Sequence, residues 1–226
     1  MLNTTIHDKY EKSWVKRLDE VQGESFAVYE RNWVLPKLMK KGEKVLDLAS
    51  GNSIVGSYWQ SHYDADVTAL DISEKALSDA KKRGVKTVLG SVEEKLPFKS
   101  GSFDTVFWGD NIEHVFSGES ILREINRVIK KGGRVILSTP NQSYWRYRLH
   151  MFLHGELPKT EGDLNHPWDW EHIRFFSPRI VESLLKFTKF KQMQFIGVSR
   201  RRIDKMFMKL SPKLFGMIMV VVAKKI

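Results

Sequence analysis

The sequence predicts an α/β fold in which a doubly wound, mostly parallel sheet is covered by helices. Three observations lead there. Five short apolar runs read as strands: KVLDLAS (44–50), VTALDIS (67–73), VKTVLG (85–90), FDTVFWG (103–109) and GRVILSTP (133–140). Helical patterns fall between them, and strands that alternate with helices form parallel sheets through right-handed crossovers. The chain has 226 residues, 42% hydrophobic and 28% charged, a globular balance and enough length for a full core.

Residues 1–43 are polar and read as one or two helices, with Trp14, Val15, Phe26, Val28, Trp33 and Leu35 as possible anchors. The first strand runs into a glycine turn at Gly51 that opens a helix. A helix over 73–83 starts at Ser73, a good N-cap, and stops before Gly84. A helix over 119–130 places Ile121, Leu122, Ile125, Val128 and Ile129 on one face, and Gly132 follows its end. Segment 141–176, between the fifth strand and the last helix, holds His150, His154, His166 and His172. It also holds Tyr144, Trp145, Tyr147, Phe152, Trp168 and Trp170. Connections longer than about 12–15 residues tend to be functional, and aromatic faces suit sugars or ring acceptors. The other reading is a satellite core under a loop. His150 and His154 share a helix face, but no third ligand stands at metal spacing, so no metal site is expected. FKQMQFIGVS (190–199) and LFGMIMVVVAKK (214–225) read as two closing strands. The apolar run from 214 to 223 is too short to span a bilayer and reads as a strand buried on both faces.

The chain contains no cysteine, which excludes disulfides, thiolate nucleophiles, cysteine-ligated zinc and iron–sulfur clusters. The opening MLNTTIHDKYEK lacks the apolar run of a signal peptide, and no stretch reaches about 18 apolar residues, so a cytoplasmic location is expected. The net charge of +10 is unevenly placed. Residues 177–226 hold 12 basic and 2 acidic residues, while the rest of the chain is close to balance. Within SRRRIDKMFMKLSPK (199–213), Ile203, Met206, Phe207 and Leu210 fall on one helical face and Arg202, Lys205 and Lys209 elsewhere. That pattern fits a helix packed on the sheet with solvated cations. The second reading, after that favoured one, is a basic amphipathic helix on an anionic membrane surface or on a phosphorylated acceptor.

In an open α/β sheet the ligand lies beyond the carboxyl ends of the strands. The first end gives Asp47-Leu48-Ala49-Ser50-Gly51-Asn52-Ser53, where Gly51 suits a tight turn that brings backbone to a ligand. It is not the dinucleotide fingerprint, which needs glycine at positions 49, 51 and 54 and meets Ala49, Gly51 and Ile54. The second end gives Asp71, a carboxylate placed either to accept ribose hydroxyls or to support the start of the next helix. The later ends give Gly90-Ser91-Val92-Glu93, then Gly109-Asp110-Asn111-Ile112-Glu113-His114-Val115, then Ser138-Thr139-Pro140-Asn141.

The set VLDLASGNS, ALDIS, GSVEEKLPFKSGSFDTV, NIEHV and REINRVIKKGGRVILSTPN resembles the successive motifs of the class I S-adenosylmethionine-dependent methyltransferases. The nearest branch carries EHV after the fourth strand and TPN after the fifth, and HIRFFS (172–177) also matches it. The resemblance covers roughly residues 40–200. It implies one Rossmann-like domain over 1–226: helices over 1–43, a cofactor-binding core over 44–140, an acceptor-side cap over 141–176, and a helix with closing strands over 177–226. The sheet would have seven strands with an antiparallel last strand. S-adenosylmethionine would be the cofactor. Asp47, Ala49, Ser50, Gly51 and Asn52 would hold its amino-acid end, Asp71 its ribose, and Ile72, Ser91, Val92 and Glu93 its adenine. Asp110 and Asn111 would line it where it meets the acceptor. Ala49 and Ser53 stand where the family usually has glycine, and Ser91 where an aspartate commonly accepts the adenine amine.

Methyl transfer is an in-line displacement served mainly by alignment, and a hydroxyl acceptor also benefits from a base. His114 is the leading candidate base and Asp110 the alternative. Tyr144, Trp168, Trp170 and His172 are candidate acceptor contacts. The expected reaction is O-methylation of a small molecule or of a glycan or lipid-linked acceptor. Nucleic acid is a weaker partner: the basic C-terminal region suggests an RNA methyltransferase, but no Asn-Pro-Pro-aromatic motif follows the fourth strand. A non-catalytic protein that binds the cofactor or its demethylated product is the remaining alternative, kept open by the substituted glycines.

Overall fold

The computed structural model describes residues 26–158 and 172–226. Its sheet has seven strands: β1 (Lys44–Leu48), β2 (Asp66–Asp71), β3 (Lys86–Leu89), β4 (Phe103–Gly109), β5 (Ile129–Pro140), β6 (Phe190–Val198) and β7 (Ile218–Lys225). The spatial order is β3-β2-β1-β4-β5-β7-β6. Strands β1 to β5 pair in parallel, and β7 alone runs against its neighbours, between β5 and β6. Met219 to Ala223 are buried, as an apolar strand between two others requires.

Alternation along the strands divides the core into two layers. On one side Val45, Val67, Ala69, Ile136 and Val220 pack with α1 (Ile54–Tyr63), α2 (Glu74–Lys82) and Leu35. On the other, Leu46, Leu48, Val106, Trp108, Leu137 and Val221 pack with α3 (Gly118–Val128) and α5 (Pro178–Phe187). A further helix, α4 (Trp145–His154), follows β5. Ser73, Ser117 and Ser177 each accept a backbone N–H in the first turn of α2, α3 and α5. Among the described residues, no helix is long and apolar enough to cross a membrane.

Four boundaries differ from the sequence reading. The helix expected to reach 130 ends at Val128, because Ile129 joins the ladder opposite Phe103 and begins β5. A Cβ on Gly133 would lie 2.6 Å from the Asp104 carbonyl oxygen, so this crossing of β4 and β5 needs glycine. The last strand starts at Ile218 instead of 214, because Pro212–Phe215 forms a helical turn, α7. Gly216 then passes so close to Gly197 that a Cβ would lie 2.5 Å from its Cα.

The third difference is at the N-terminal side, where the described residues form 3-10 turns at Phe26–Val28, Glu30–Trp33 and Leu35–Lys37. Leu35 is buried and the Phe26 ring stacks on Tyr58 at 3.8 Å, but Trp33 is 41% exposed, its indole donating to the Ala27 carbonyl and its ring facing Lys205. Trp14 and Val15 lie outside the described residues. The fourth is segment 199–213, which is not one amphipathic helix. It is a short helix, α6 (Arg202–Phe207), followed by α7. Ile203, Met206 and Leu210, expected to pack inward, are exposed. What anchors the segment is Asp204, fully buried and accepting from Ser199 Oγ, Tyr144 Oη and Trp145 Nε1.

Candidate active site at the carboxyl ends of the strands

Asp47 is the fourth residue of β1 and buried; its Oδ2 accepts from Ser53 Oγ at 2.7 Å and from Gly56 N at 3.2 Å. Burial pushes its carboxyl up to about 7, against the opposing pull of those two donors and of Arg31. The turn that follows holds three residues in the left-handed region, Ala49 (φ 52°), Gly51 (φ 54°) and Ser53 (φ 50°). Two of them carry side chains at the positions where the resemblance implies glycine. Each non-glycine residue held there costs on the order of 1–3 kcal/mol, so the surrounding bonds must impose the turn. Ser50 N donates to the Leu70 carbonyl and Gly51 N to Asp71 Oδ2 at 2.7 Å.

Asp71 ends β2 and ties two turns together, since its Oδ1 accepts from Ser73 N at 2.9 Å at the entrance to α2. The reading of Asp71 as support for the start of the next helix is met by this bond. Ionised carboxylates have about four acceptor sites, so these bonds are compatible with hydroxyl donors as well. The Asp71 carbonyl accepts from Gly90 N, which brings Ser91, Val92 and Glu93 to the same edge. Ser91 Oγ accepts from Glu93 N, Val92 packs against the core, and Glu93 Oε1 accepts from Phe116 N at 2.7 Å. Ile72 is half-buried and Asn52 buried beside the turn.

Beyond β4, Asp110 also has a left-handed backbone (φ 48°). Its N–H donates to Ser138, whose Oγ donates in turn to Asp110 Oδ1 at 2.6 Å. Its Oδ2 is paired with the guanidinium of Arg31, which reaches in from the 3-10 turn Glu30–Trp33. Burial opposes the Arg31 charge, but the Asp110 carboxylate, helped by Tyr29 and Asp47, holds its pKa above the ordinary value. The Arg31 guanidinium carbon lies 4.7 Å from the Tyr29 ring centre. A Cβ on Gly109 would lie 2.5 Å from the Phe107 ring and 3.1 Å from Arg31 Nε, so glycine here makes room for the arginine. Asn111 Oδ1 accepts from Trp108 Nε1 at 3.2 Å.

One turn further on, the 3-10 turn Ile112–His114 brings Glu113 and His114 beside His172. The two imidazole rings are 4.8 Å apart. Glu113 Oε2 accepts from Thr139 Oγ1 at 2.8 Å, and its backbone carbonyl accepts from Ile173 N and Arg174 N. An open cleft of about 410 Å³, lined by Phe116, Arg174, Phe175, Ile180 and Leu184 among others, adjoins this segment.

Tyr144 does not line an acceptor surface. It is 1% exposed and its hydroxyl donates to Asp204; burial, and then this bond and the Asp204 charge, raise the phenol pKa. Trp168 and Trp170 lie outside the described residues. His150 and His154 have their rings 4.5 Å apart on α4, with no third ligand among the described residues.

A family model described as "Methyltransferase domain" matches residues 46–137. A protein of Dechloromonas aromatica named "Ubiquinone biosynthesis O-methyltransferase" is 27% identical over 78% of this chain and 76% of its own length. A Pseudomonas aeruginosa protein of the same name is 30% identical over half of each chain. The structure of a Thermotoga maritima protein, titled a SAM-dependent methyltransferase and possible histamine N-methyltransferase, superimposes with a TM-score of 0.70. It covers 97% of this chain and 99% of that one at 19% identity, which speaks to the fold.

The chain carries a methyltransferase domain and is an S-adenosylmethionine-dependent methyltransferase.

The donor set of this methyltransferase fits its cofactor, S-adenosylmethionine. The Asp71 carboxylate suits hydroxyl donors, a turn of small residues leaves backbone accessible, and the Arg31 cation suits a carboxylate. Arg31 Nε is moreover a buried donor with no hydrogen-bond partner among the described residues. Sequence reasoning did not find Arg31, and it named Ser138 and Glu113 only as residues at strand ends. Arg31 stands 79 residues before the aspartate it pairs with, in a segment with no motif of its own.

Proposed function

We propose that this methyltransferase methylates a hydroxyl oxygen of a small molecule. When bound, the cofactor supplies a methyl group activated by its cationic sulfur. Asp71 would accept the ribose hydroxyls, and Ala49, Ser50, Gly51 and Asn52 would present backbone to the amino-acid end beside Asp47. Arg31, held by Asp110, would bind the amino-acid carboxylate. Ile72, Ser91, Val92 and Glu93 would border the adenine, and Asn111, steadied by Trp108, the side towards the acceptor. The observation that carries the choice of a hydroxyl is the His114–His172 pair with Glu113, one turn from Asp110. An imidazole there accepts the hydroxyl proton at a ring nitrogen, a contribution of about 10²–10⁴-fold. The names of the Dechloromonas and Pseudomonas relatives agree with this reading.

Exposed side chains favour a particular presentation of the acceptor. Met151, Phe152 and Leu153 on α4 and Ile203, Met206 and Leu210 around α6 are all exposed, and Arg201, Arg202, Lys205 and Lys209 stand among the latter group. Apolar tips among cations suit an anionic lipid surface, and with it a lipid-linked acceptor.

Titration calorimetry with S-adenosylhomocysteine tests the cofactor side. Asp71→Ala and Arg31→Ala should each weaken binding more than about tenfold. No binding to the parent protein at millimolar ligand removes the reading. On the acceptor side, His114→Ala should lower turnover by about 10²–10⁴-fold with cofactor affinity unchanged. Full turnover in that variant acquits His114.

A further inference from the structure

Glu113, His114 and His172 offer one carboxylate oxygen and two imidazole nitrogens that all lie within 4.8 Å of one another. From this geometry we infer a binding site for a divalent transition-metal ion, of the zinc or cobalt kind, beside the methyl-transfer centre. The ligand chemistry is specific. Two histidines and one glutamate supply the three protein ligands of one kind of catalytic zinc site, which leaves the fourth position open. A tetrahedral ion with bonds of about 2.1 Å separates its ligands by roughly 3.4 Å, so modest side-chain rotation closes the cluster around it.

The surroundings are those of an oriented site. Glu113 and His172 are buried, whereas His114 is half-buried and leaves the cluster open on one side. Thr139, at the end of β5, donates its hydroxyl proton to Glu113 Oε2 and so fixes the carboxylate from outside, as hydrogen-bonded partners of metal ligands do. Ile173 N and Arg174 N both donate to the Glu113 carbonyl, at 2.9 and 3.0 Å. Those bonds clamp the His172 segment to the turn that carries the other two ligands. Sequence alone hid the set: the pair it displayed, His150 and His154, lies on α4, and the third ligand of the real cluster comes 58 residues after His114.

The role of the ion rests on the proposed methylation of a hydroxyl; its binding does not. With the ion bound, an acceptor hydroxyl at the open position is acidified and its proton leaves to solvent, since His114 is then a ligand; in the ion-free protein His114 takes that proton. The oxygen then bonds to the methyl carbon as the carbon–sulfur bond breaks and the sulfur keeps that electron pair. The acceptor class is a phenol or an alcohol bound as its anion.

The test is equilibrium dialysis of untagged, chelator-stripped protein against Zn²⁺, with Co²⁺ absorption as a second probe and no cofactor present. The parent should bind one equivalent. His172→Ala and Glu113→Gln should each lose at least about 100-fold in affinity, and Thr139→Val about 10–100-fold. His154→Ala should change nothing. Less than a tenth of an equivalent on the parent overturns the inference. So does a site lost in His154→Ala and kept in His172→Ala. Thr139→Val and Glu113→Gln are near-isosteric and keep the test decisive should His172→Ala fail to fold. Calorimetry with S-adenosylhomocysteine separates the two readings: ion binding without binding of this ligand sinks the proposed reaction only, and the converse sinks the ion site only.

Discussion

Replacing Asp47 by asparagine isolates the most perturbed group at the cofactor end of the sheet. The amide keeps the shape of the carboxyl, and its carbonyl can still accept from Ser53 Oγ and Gly56 N, the bonds that join β1 to α1. What it removes is a titration. Burial moves this carboxyl from its ordinary 3.8 to about 7. A carboxyl so raised holds its proton more tightly in the folded state than in the unfolded one. Below the unfolded value both states are protonated and nothing is lost. As pH rises from about 4 to about 7 the unfolded chain releases the proton first, and stability falls. Above the folded value the full penalty is in place, on the order of 4 kcal/mol. Urea unfolding of parent and Asp47→Asn, followed by tryptophan fluorescence from about pH 4 to about pH 8, measures it as the difference between two curves. Other titrating groups cancel in that difference. The variant should gain on the parent steadily up to about pH 7 and level off above it. A difference independent of pH would refute the idea that burial holds the proton on Asp47.

Two other expectations concern the turn and the surface. Ala49→Gly relieves a left-handed backbone and should raise stability by about 0.5–1 kcal/mol, after allowing for the greater freedom of glycine in the unfolded chain; a loss of stability by the same urea assay refutes the strain. Flotation with anionic vesicles tests the exposed apolar and basic residues around α6. The parent should float at low salt, and a variant with Arg201, Arg202 and Lys205 changed to glutamine should float less; equal flotation of both proteins refutes a role for these cations.

Much of the fold was legible because the strands are continuous apolar runs, which parallel packing between two helical layers demands. The placement of Asp47, Gly51 and Asp71 at the carboxyl ends of β1 and β2 was legible for a related reason. A ligand at the carboxyl ends of parallel strands must be met by whatever side chains end those strands, and position along the chain then reports position in the site. Ala49 and Ser53 show how far local sequence reaches. They depart from glycine, yet the hydrogen bonds of Ser50, Gly51 and Ser53 to Leu70, Asp71 and Asp47 hold both in glycine's backbone region. Tyr144 was misread because a tyrosine in a long connection looks like a ligand contact until its partner, Asp204, is known. Ile203, Met206 and Leu210 were misread because helical periodicity was continued through a segment that breaks into two short helices.

The amino-acid order by itself determined the alternation of strands and helices, the late apolar strand and the acidic ends of β1 and β2, all properties of short stretches of chain. Tertiary structure alone decided that Arg31 meets Asp110 and that His172 meets Glu113 and His114. Those partners are drawn from distant segments, and no periodicity records a contact whose energy exists only once the segments are packed together.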